Sequence, residues 1–297
     1  MVEWKKLWPA ILLAHLLVVA AAGSLQAIHL IVDGIVLGLF AGRRTREAML
    51  FFFPIWALFA LYDMHTLLLP FRLEIHVADI YRAELFLFGL HTDSGVVLLN
   101  ELFRTRSWLV LDFICGLAYV FYLVPSVVVG VILYRKDRPR GQIFVWALLA
   151  MHLITFATFI LLPVAPPWYV YMHGLGPADL TALPSAAGVA RLDNIVGIPI
   201  AETIYSKSLN VFGAVPSMHF GLQVLTALIV QKWSRIACVL VWGFAALIAF
   251  SAVYLDHHYI LDLIAGGIAA LAALTITRSV ASRYFAWPQP HRHLEVS

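Results

Sequence analysis

Long apolar runs separated by short polar turns dominate the chain. Six of them follow residue 48, and together they match helices that cross a bilayer, each of which needs ~20 apolar residues. The runs are Met49–Leu69, Trp108–Tyr134, Ile143–Leu162, Pro216–Val230, Ile236–Tyr254 and Ile260–Ile276. This pattern predicts an all-α polytopic membrane protein with a core of six transmembrane helices.

A further apolar stretch, residues 7–40, precedes these runs. It is too long for one perpendicular helix at ~1.5 Å per residue, and only Gly23 and Ser24 offer a break. We expect an interfacial or tilted start followed by one crossing. His15 and Asp33 interrupt the stretch, and such residues either face the interior of a helix bundle or are satisfied by packing or snorkelling.

Two segments between the runs differ from the other connections. Residues 71–107 mix charges of both signs with apolar residues, which predicts one or two helices at the membrane interface with a turn around residues 91–95. Their charges are expected to form a lid or scaffold. Residues 163–214 form a long loop, and ordered loops of this length are usually functional. Trp168 and Tyr169 are expected to anchor it at headgroup level.

Composition excludes several functional classes. With 62% hydrophobic and 12% charged residues, the chain is far less charged than globular domains, in which about a quarter of the residues are charged. The net charge of +3 is too small and too scattered for a nucleic-acid partner. Cys115 and Cys238 both lie in apolar runs and predict neither a disulfide nor a metal site.

Basic residues concentrate on one predicted side of the membrane. They lie in the turns at 42–47, 135–140 and 232–235 and in the segment after residue 277. The positive-inside rule makes this side cytoplasmic, so residues 71–107 and 163–214 are expected on the opposite face. The predicted organisation is an N-terminal anchor and basic turn (1–48), a six-helix domain (49–280) and a cytoplasmic tail (281–297).

Two histidine motifs mark the predicted hairpin between residues 211 and 262. They read VFGAVPSMHFG and YLDHHYILD. Two antiparallel helices of similar length place their outer ends on one membrane face, which brings His219 and His258 to the same level. Asp262 lies four residues after His258, on the same helix face, and can accept the proton of its Nδ1.

This arrangement predicts two-step group transfer. His258 keeps a free ring nitrogen as nucleophile, and His219 gives and takes a proton. Both motifs lie near helix starts, where N–H groups and the helix dipole favour an anion, so the electrophile is expected to be phosphorus. Ser217 is predicted to donate a hydrogen bond to phosphate or backbone, and His257 to be structural. The scheme requires neither a metal nor another cofactor.

The motifs also carry a family resemblance. PSMH followed by HHYILD resembles the second and third signatures of the type 2 phosphatidic acid phosphatase superfamily, and the run from Arg191 to Gly221 looks like its inositol phosphorylceramide synthase branch. The resemblance implies that His258 forms a phosphohistidine, that Asp262 orients it and that His219 is the acid and base. It implies membrane lipids as partners, a phospholipid donor and a lipid alcohol acceptor, and leaves the oligomeric state open.

The chain departs from the common phosphatases of that superfamily at three points. Met218 replaces a glycine, Ala252 replaces an arginine, and the first signature is absent. LPVAPPWY, residues 162–169, stands in its expected place and resembles the synthases. Pro167 and Trp168 of this motif are therefore predicted to contact substrate, and the candidate phosphate-binding cations are Arg191 and Lys207.

The resemblance thus predicts a lipid phosphotransferase that moves a phosphate-containing headgroup, such as phosphoinositol, from a phospholipid to a lipid alcohol. The sequence leaves three alternatives to this function open. A lipid phosphate phosphatase would use the same His219, His258 and Asp262, with water as the acceptor. A metal-binding transporter could use these three residues together with His257, which are competent Zn²⁺ ligand types. A scaffold without catalysis could also keep the fold.

Overall fold

A computed structural model describes residues 4–21, 25–93, 95–208, 210–231 and 233–284. The helices are α1 (Trp4–Ala21), α2 (Ala27–Ala41), α3 (Arg43–His65), α4 (Ala78–Phe88), α5 (Leu99–Thr105), α6 (Leu109–Val120), α7 (Leu123–Lys136), α8 (Arg138–Leu161), α9 (Pro167–His173), α10 (Ala190–Val196), α11 (Ile200–Tyr205), α12 (Met218–Val230), α13 (Arg235–Tyr254) and α14 (Ile260–Tyr284). Short 3₁₀ helices cover Thr66–Phe71 and Ala187–Val189. Strands β1 (Leu90–Thr92) and β2 (Gly95–Val97) pair antiparallel.

Four helices in the described part of the chain are long and apolar enough to cross a bilayer: α3, α8, α13 and α14. α6 and α7 add a fifth span if they are counted as one bent crossing. The apolar parts of α1, α2 and α12 are shorter. The prediction of an all-helical membrane protein is confirmed at this level, with four to five clear spans.

The predicted crossing Trp108–Tyr134 is not one continuous helix. It breaks between α6 and α7, whose axes are bent by 43°. Pro125, in the first turn of α7, has no N–H to donate to the Phe121 carbonyl, which instead accepts from Val124 N at 3.0 Å. The Gln223 side chain donates to the Tyr122 carbonyl at 2.8 Å. The break is therefore stabilised by a neighbouring helix.

The N-terminal stretch forms two helices where we expected one crossing. α1 and α2 form a hairpin that packs on α3. His15 Nδ1 lies 2.8 Å from Asp33 Oδ2, and Trp56 Nε1 donates to Asp33 Oδ1 at 3.0 Å. Both His15 and Asp33 are buried, so these polar residues face the interior of the helical assembly. The predicted break residues Gly23 and Ser24 lie outside the described residues.

α12 is the central helix of the domain and packs against α7, α8, α13 and α14. Its apolar side chains, including Leu225 and Ile229, are buried with Phe144 and Met151 of α8. α12 and α14 approach most closely at two glycines. A Cβ on Gly266 would lie 2.4 Å from the Ser217 carbonyl oxygen, so only glycine fits this crossing.

The two long connecting segments fold over one end of this bundle. Residues 71–107 form α4, the β1–β2 hairpin at the predicted turn, and α5. Residues 163–214 form α9, α10 and α11 with intervening turns. Val164 pairs in isolated bridges with His76 and with Gly213, which fastens the two segments to each other.

Several predicted boundaries shift. α12 begins at Met218, because Ser217 is still extended, with φ −67° and ψ 108°. α14 continues from Ile260 to Tyr284, past the predicted end at Ile276. Residues 285–297 of the predicted tail and Lys232 of the basic turn lie outside the described residues.

Candidate active site

The segment between α13 and α14, residues 255–259, is called here the histidine loop. Asp256 has φ 65°, a left-handed conformation that reverses the chain sharply. The N–H groups of His257 and His258 both donate to the Ala252 carbonyl, at 3.0 and 3.1 Å. The loop is thus folded tightly onto the end of α13 and holds both histidines in fixed positions.

His258 is oriented by Asp262 in the first turn of α14. His258 Nδ1 lies 3.2 Å from Asp262 Oδ2, and the same oxygen accepts from Tyr259 N at 2.8 Å. Asp262 is completely buried. Because the carboxylate accepts the Nδ1 proton, the lone pair of His258 remains on Nε2.

His219, in the first turn of α12, faces His258. Their ring centroids are 5.9 Å apart, with an interplanar angle of 57°. The backbone links the two helices here, since Ser217 N donates to the Asp262 carbonyl at 2.9 Å. The close crossing at Gly221 and Gly266 permits this contact. The structure therefore brings together the three residues predicted from the motifs.

Tyrosines surround His219. Tyr119 stacks on its ring with centroids 4.2 Å apart, and the Tyr119 hydroxyl lies 3.2 Å from Nδ1. Tyr122 contacts the same ring at 4.2 Å from the other side of the break. The sequence analysis missed both residues. Pro125 was the local signal, since it predicts a helix break beside Tyr122.

His257 faces away from this pair. Its Nε2 donates to the Ala186 carbonyl at 3.0 Å, and its ring lies between Tyr119 and Tyr205. Burial lowers the pKa of His257 to about 3. It is therefore a neutral hydrogen-bond donor, as expected. A zinc site formed jointly with His219 and His258 is not supported by this geometry.

Burial also lowers the pKa of the His258 imidazole to about 4. A hydrogen bond to the Ala214 carbonyl acts in the opposite direction by raising the pKa. The ring is therefore neutral at pH 7. Within the described ranges no three His, Cys, Asp or Glu side chains are grouped so that they could hold a metal ion.

The predicted cations occupy different settings. Arg191 Nε donates to Asp112 Oδ1 at 2.6 Å, and its Nη2 donates to the Tyr254 carbonyl at 3.1 Å. This arginine is already neutralised by an aspartate. Lys207 is exposed just after α11. The structure does not bring the two cations into one phosphate clamp.

The other predicted contact residues are buried. Ser217 is 0% exposed, and its Oγ has no hydrogen-bond partner among the described residues. Trp168 N donates to the Asp256 carbonyl at 3.2 Å, and Pro167 borders a cavity beside the histidine loop. Trp168 and Tyr169 pack in a buried cluster, so the prediction that they anchor the loop in the headgroup layer is wrong.

Two side chains of residues 71–107 hold the histidine loop in place, and neither contact was predicted from the sequence. Asn100 donates to the carbonyls of Val253 and His258 at 3.0 and 3.1 Å. Arg104 forms a two-pronged ion pair with Asp256, with its closest contact at 2.8 Å. Partners about 150 residues away leave no local signal in the sequence.

The pKa of the Asp256 carboxyl is shifted toward neutral pH. Burial raises the pKa of its carboxyl to about 6. The positive charges of Arg104 and Arg191 lower this pKa, whereas the negative charge of Glu101 raises it further. The carboxyl is therefore about half ionised near pH 6, and its ion pair with Arg104 strengthens as the pH rises above that value.

Glu84 occupies the start of α14. Its carboxylate accepts from Ile260 N at 2.8 Å and from Leu261 N at 3.1 Å. We had expected a substrate anion at both helix starts. At the start of α14 this position is taken by the protein's own carboxylate.

The described residues thus define a helical membrane protein with two facing imidazoles, one held by a buried carboxylate, at one end of its bundle. This class of site suits histidine-mediated group transfer. The sequence profile of the PAP2 superfamily matches residues 85–276. The chain belongs to this superfamily.

Its relatives include lipid headgroup transferases. The phosphoinositol dihydroceramide synthase of Bacteroides thetaiotaomicron is 34% identical over 269 residues, which cover 86% of this chain and 85% of that protein. The inositol phosphorylceramide synthase of Candida albicans is 31% identical over 183 residues, 61% of this chain and 39% of its own. The catalytic subunit of the Saccharomyces cerevisiae synthase is 31% identical over 182 residues, covering 61% and 45%. No solved structure matches the chain significantly.

Proposed function

We propose that this protein is a membrane-embedded lipid phosphotransferase that moves phosphoinositol from a phospholipid to a ceramide-type alcohol. The observation that carries the proposal is the facing pair His219 and His258, with His258 bonded to Asp262. The names of the relatives supply the headgroup and the acceptor.

In the first step, His258 Nε2 attacks the phosphorus of the donor. The bond between phosphorus and the diacylglycerol oxygen breaks, and protonated His219 gives its proton to that oxygen. The Nδ1 proton stays on His258 and is donated in a hydrogen bond to the Asp262 carboxylate, which offsets the positive charge of the phosphorylated ring. In the second step, neutral His219 takes the proton of the acceptor hydroxyl, whose oxygen attacks phosphorus and releases His258. A positioned acid or base contributes ~10²–10⁴ in rate.

The start of α12 is the proposed phosphate site. Ser217 Oγ is buried without a partner among the described residues. The first N–H groups of a helix have no partner within the helix, so they can donate to an anion at its N-terminus. We assign Ser217 as a hydrogen-bond donor to the phosphate. Lys207 is the proposed mobile cation, whereas Arg191 acts through Asp112 and the end of α13.

We further propose that the site opens to the non-cytoplasmic face. Arg138 lies 3.6 Å from Glu47, which is consistent with the basic turns 42–47 and 135–140 sharing one end of the bundle. Counting α6–α7 and α12 as crossings gives six spans in residues 49–280, after an anchor in 1–48 and before a cytoplasmic tail, 281–297. α12 has 13 residues, about 20 Å at ~1.5 Å each, against a ~30 Å hydrocarbon core. His219 would then lie at headgroup depth.

The test is to incubate purified protein with headgroup-labelled phosphatidylinositol, ceramide and diacylglycerol. We expect the label on a ceramide product, and no turnover with His258→Ala. Tyr134→Phe, at the far end of the bundle, is the control. Label released only as a water-soluble headgroup phosphate would identify a phosphatase and overturn the proposal.

A further inference from the structure

A half-open pocket, called the cavity below, lies beside the histidine loop and includes Tyr259 in its wall. Its volume is about 240 Å³, below the ~300–1,000 Å³ of pockets for drug-sized ligands. At ~30 Å³ per water in the liquid, it corresponds to about eight waters. This volume is enough for one six-membered polyol ring.

The wall of the cavity is linked to the proposed nucleophile through two residues. Tyr259, the residue after His258, forms part of its wall. Asn100 forms another part, and its amide donates to the His258 carbonyl at 3.1 Å. A group that remains attached to phosphorus during attack by His258 must lie within a short distance of this wall.

One polar group of the wall has no partner. The Tyr259 side chain is 0% exposed, and its hydroxyl has no hydrogen-bond partner among the described residues. Burial raises its pKa far above the usual range, so the hydroxyl stays protonated and can donate. A buried hydroxyl without a partner is costly. It has no accessible surface in the cavity, so a ligand hydroxyl satisfies it once the tyrosine side chain turns toward the cavity.

The charges of the lining favour a neutral ligand. Glu101 and Arg104 contribute one charge of each sign, and Arg104 is paired with Asp256. The Glu101 carboxylate accepts a hydrogen bond from the Tyr81 hydroxyl at 2.8 Å. It has further lone pairs that can accept hydrogen bonds from a ligand. Tyr171 adds an aromatic ring, over which Arg104 lies at 4.0 Å. Acceptors, donors and a flat apolar face together suit a polyol more than a second phosphate.

We propose that this cavity binds the uncharged cyclic polyol headgroup of the donor, with Glu101 and Tyr259 as the residues that select it. The inference rests on the proposed transferase function, because the polyol must be joined to the phosphorus at His258. Asn100 positions the loop and the cavity wall together.

The kinetic test compares donors. With ceramide fixed, kcat/KM is measured for phosphatidylinositol and for phosphatidylglycerol in wild type, Tyr259→Phe, Glu101→Gln and the control Tyr134→Phe. We expect Tyr259→Phe to lower kcat/KM for the inositol donor about 3- to 10-fold and Glu101→Gln about 10- to 100-fold. The glycerol donor and the control should change less than 2-fold. Equal losses for both donors, or none, would overturn the proposal.

A binding test separates this proposal from the proposed function. Equilibrium dialysis with labelled myo-inositol requires no turnover and uses the same full-length proteins. We expect saturable binding in wild type and His258→Ala, weakened in both cavity variants and retained in the control. Inositol binding without any headgroup transfer would refute the proposed transferase function but support the polyol site. Headgroup transfer without inositol binding or donor discrimination would refute the polyol site.

Discussion

α12 and α14 cross closely at Gly266. We expect Gly266→Ala, which pushes the two helices apart, to lower enzymatic activity more than folding stability. The new Cβ would lie 2.4 Å from the Ser217 carbonyl oxygen, where ordinary contacts begin at 3.4 Å. The helices must therefore separate by about 1 Å, the difference between these distances. A misplacement of this size can cost ~10²-fold in rate.

The energetic terms oppose each other at this position. Replacing glycine by alanine inside a helix gains ~1 kcal/mol of intrinsic propensity, whereas overpacking costs ~1–3 kcal/mol. The expected net loss of folding free energy is therefore between about 0 and 2 kcal/mol. His219 and His258 move apart with the two helices, so turnover falls further than stability.

Gly267→Ala is the matched control. A Cβ there meets only the Phe220 ring, at 3.7 Å, which is an ordinary contact. Headgroup transfer to ceramide in detergent micelles gives the rate, and thermal melting gives the stability. We expect about 10²-fold lower turnover for Gly266→Ala and near wild-type turnover for Gly267→Ala. Full activity of the former, or an equal loss in both, would refute the positioning argument.

Three further perturbations address the site. Because burial raises the pKa of Asp256 to about 6, its pair with Arg104 forms as the pH rises. We expect kcat/KM to increase between about pH 5 and 7 in wild type, and to lack this step in Asp256→Asn. Glu84→Gln removes the charge at the start of α14 and should cost ~0.5–2 kcal/mol, measured by thermal melting. Asp262→Asn loses the charge that supports the His258 imidazolium, and turnover should fall ~10²–10⁴-fold.

Each of these has a contradicting result. If Asp256→Asn kept the wild-type pH profile, the rise of kcat/KM between about pH 5 and 7 would belong to another titrating group. Wild-type melting of Glu84→Gln would mean that the helix start is satisfied without this carboxylate. Turnover of Asp262→Asn within 3-fold of wild type would remove Asp262 from the mechanism; Asp262→Glu, which keeps the charge, serves as its control.

The sequence predicted those parts of the fold that depend on local pattern. α8, α13 and α14 follow apolar runs of about 20 residues, and such runs have few alternatives in a membrane. The pairing of His258 with Asp262 was predicted from helical spacing, and the structure keeps the pairing although His258 lies in the histidine loop before α14 begins. The approach of His258 to His219 follows from hairpin geometry. The break before α7 was missed although Pro125 signals it, because the apolar run continues through it.

The supporting contacts could not be predicted in the same way. Glu84 caps α14 across 176 residues of sequence separation, and Arg104 reaches Asp256 across 152. Nothing in the local pattern of residues 71–107 distinguishes these side chains from solvated interfacial charges. The β1–β2 hairpin was likewise expected only as a turn.

The paired arginines bear on which phosphate esters the site accepts. Arg104 and Arg191, which contact the histidine loop and the end of α13, are each neutralised by an aspartate. A phosphate monoester carries a charge of about −1.5 to −2 at pH 7. Neither guanidinium group is available to pair with the second negative charge, because each already pairs with an aspartate. A diester carries a single charge, which the start of α12 can balance. We therefore expect the site to accept phosphatidic acid less well than phospholipids that still bear a headgroup.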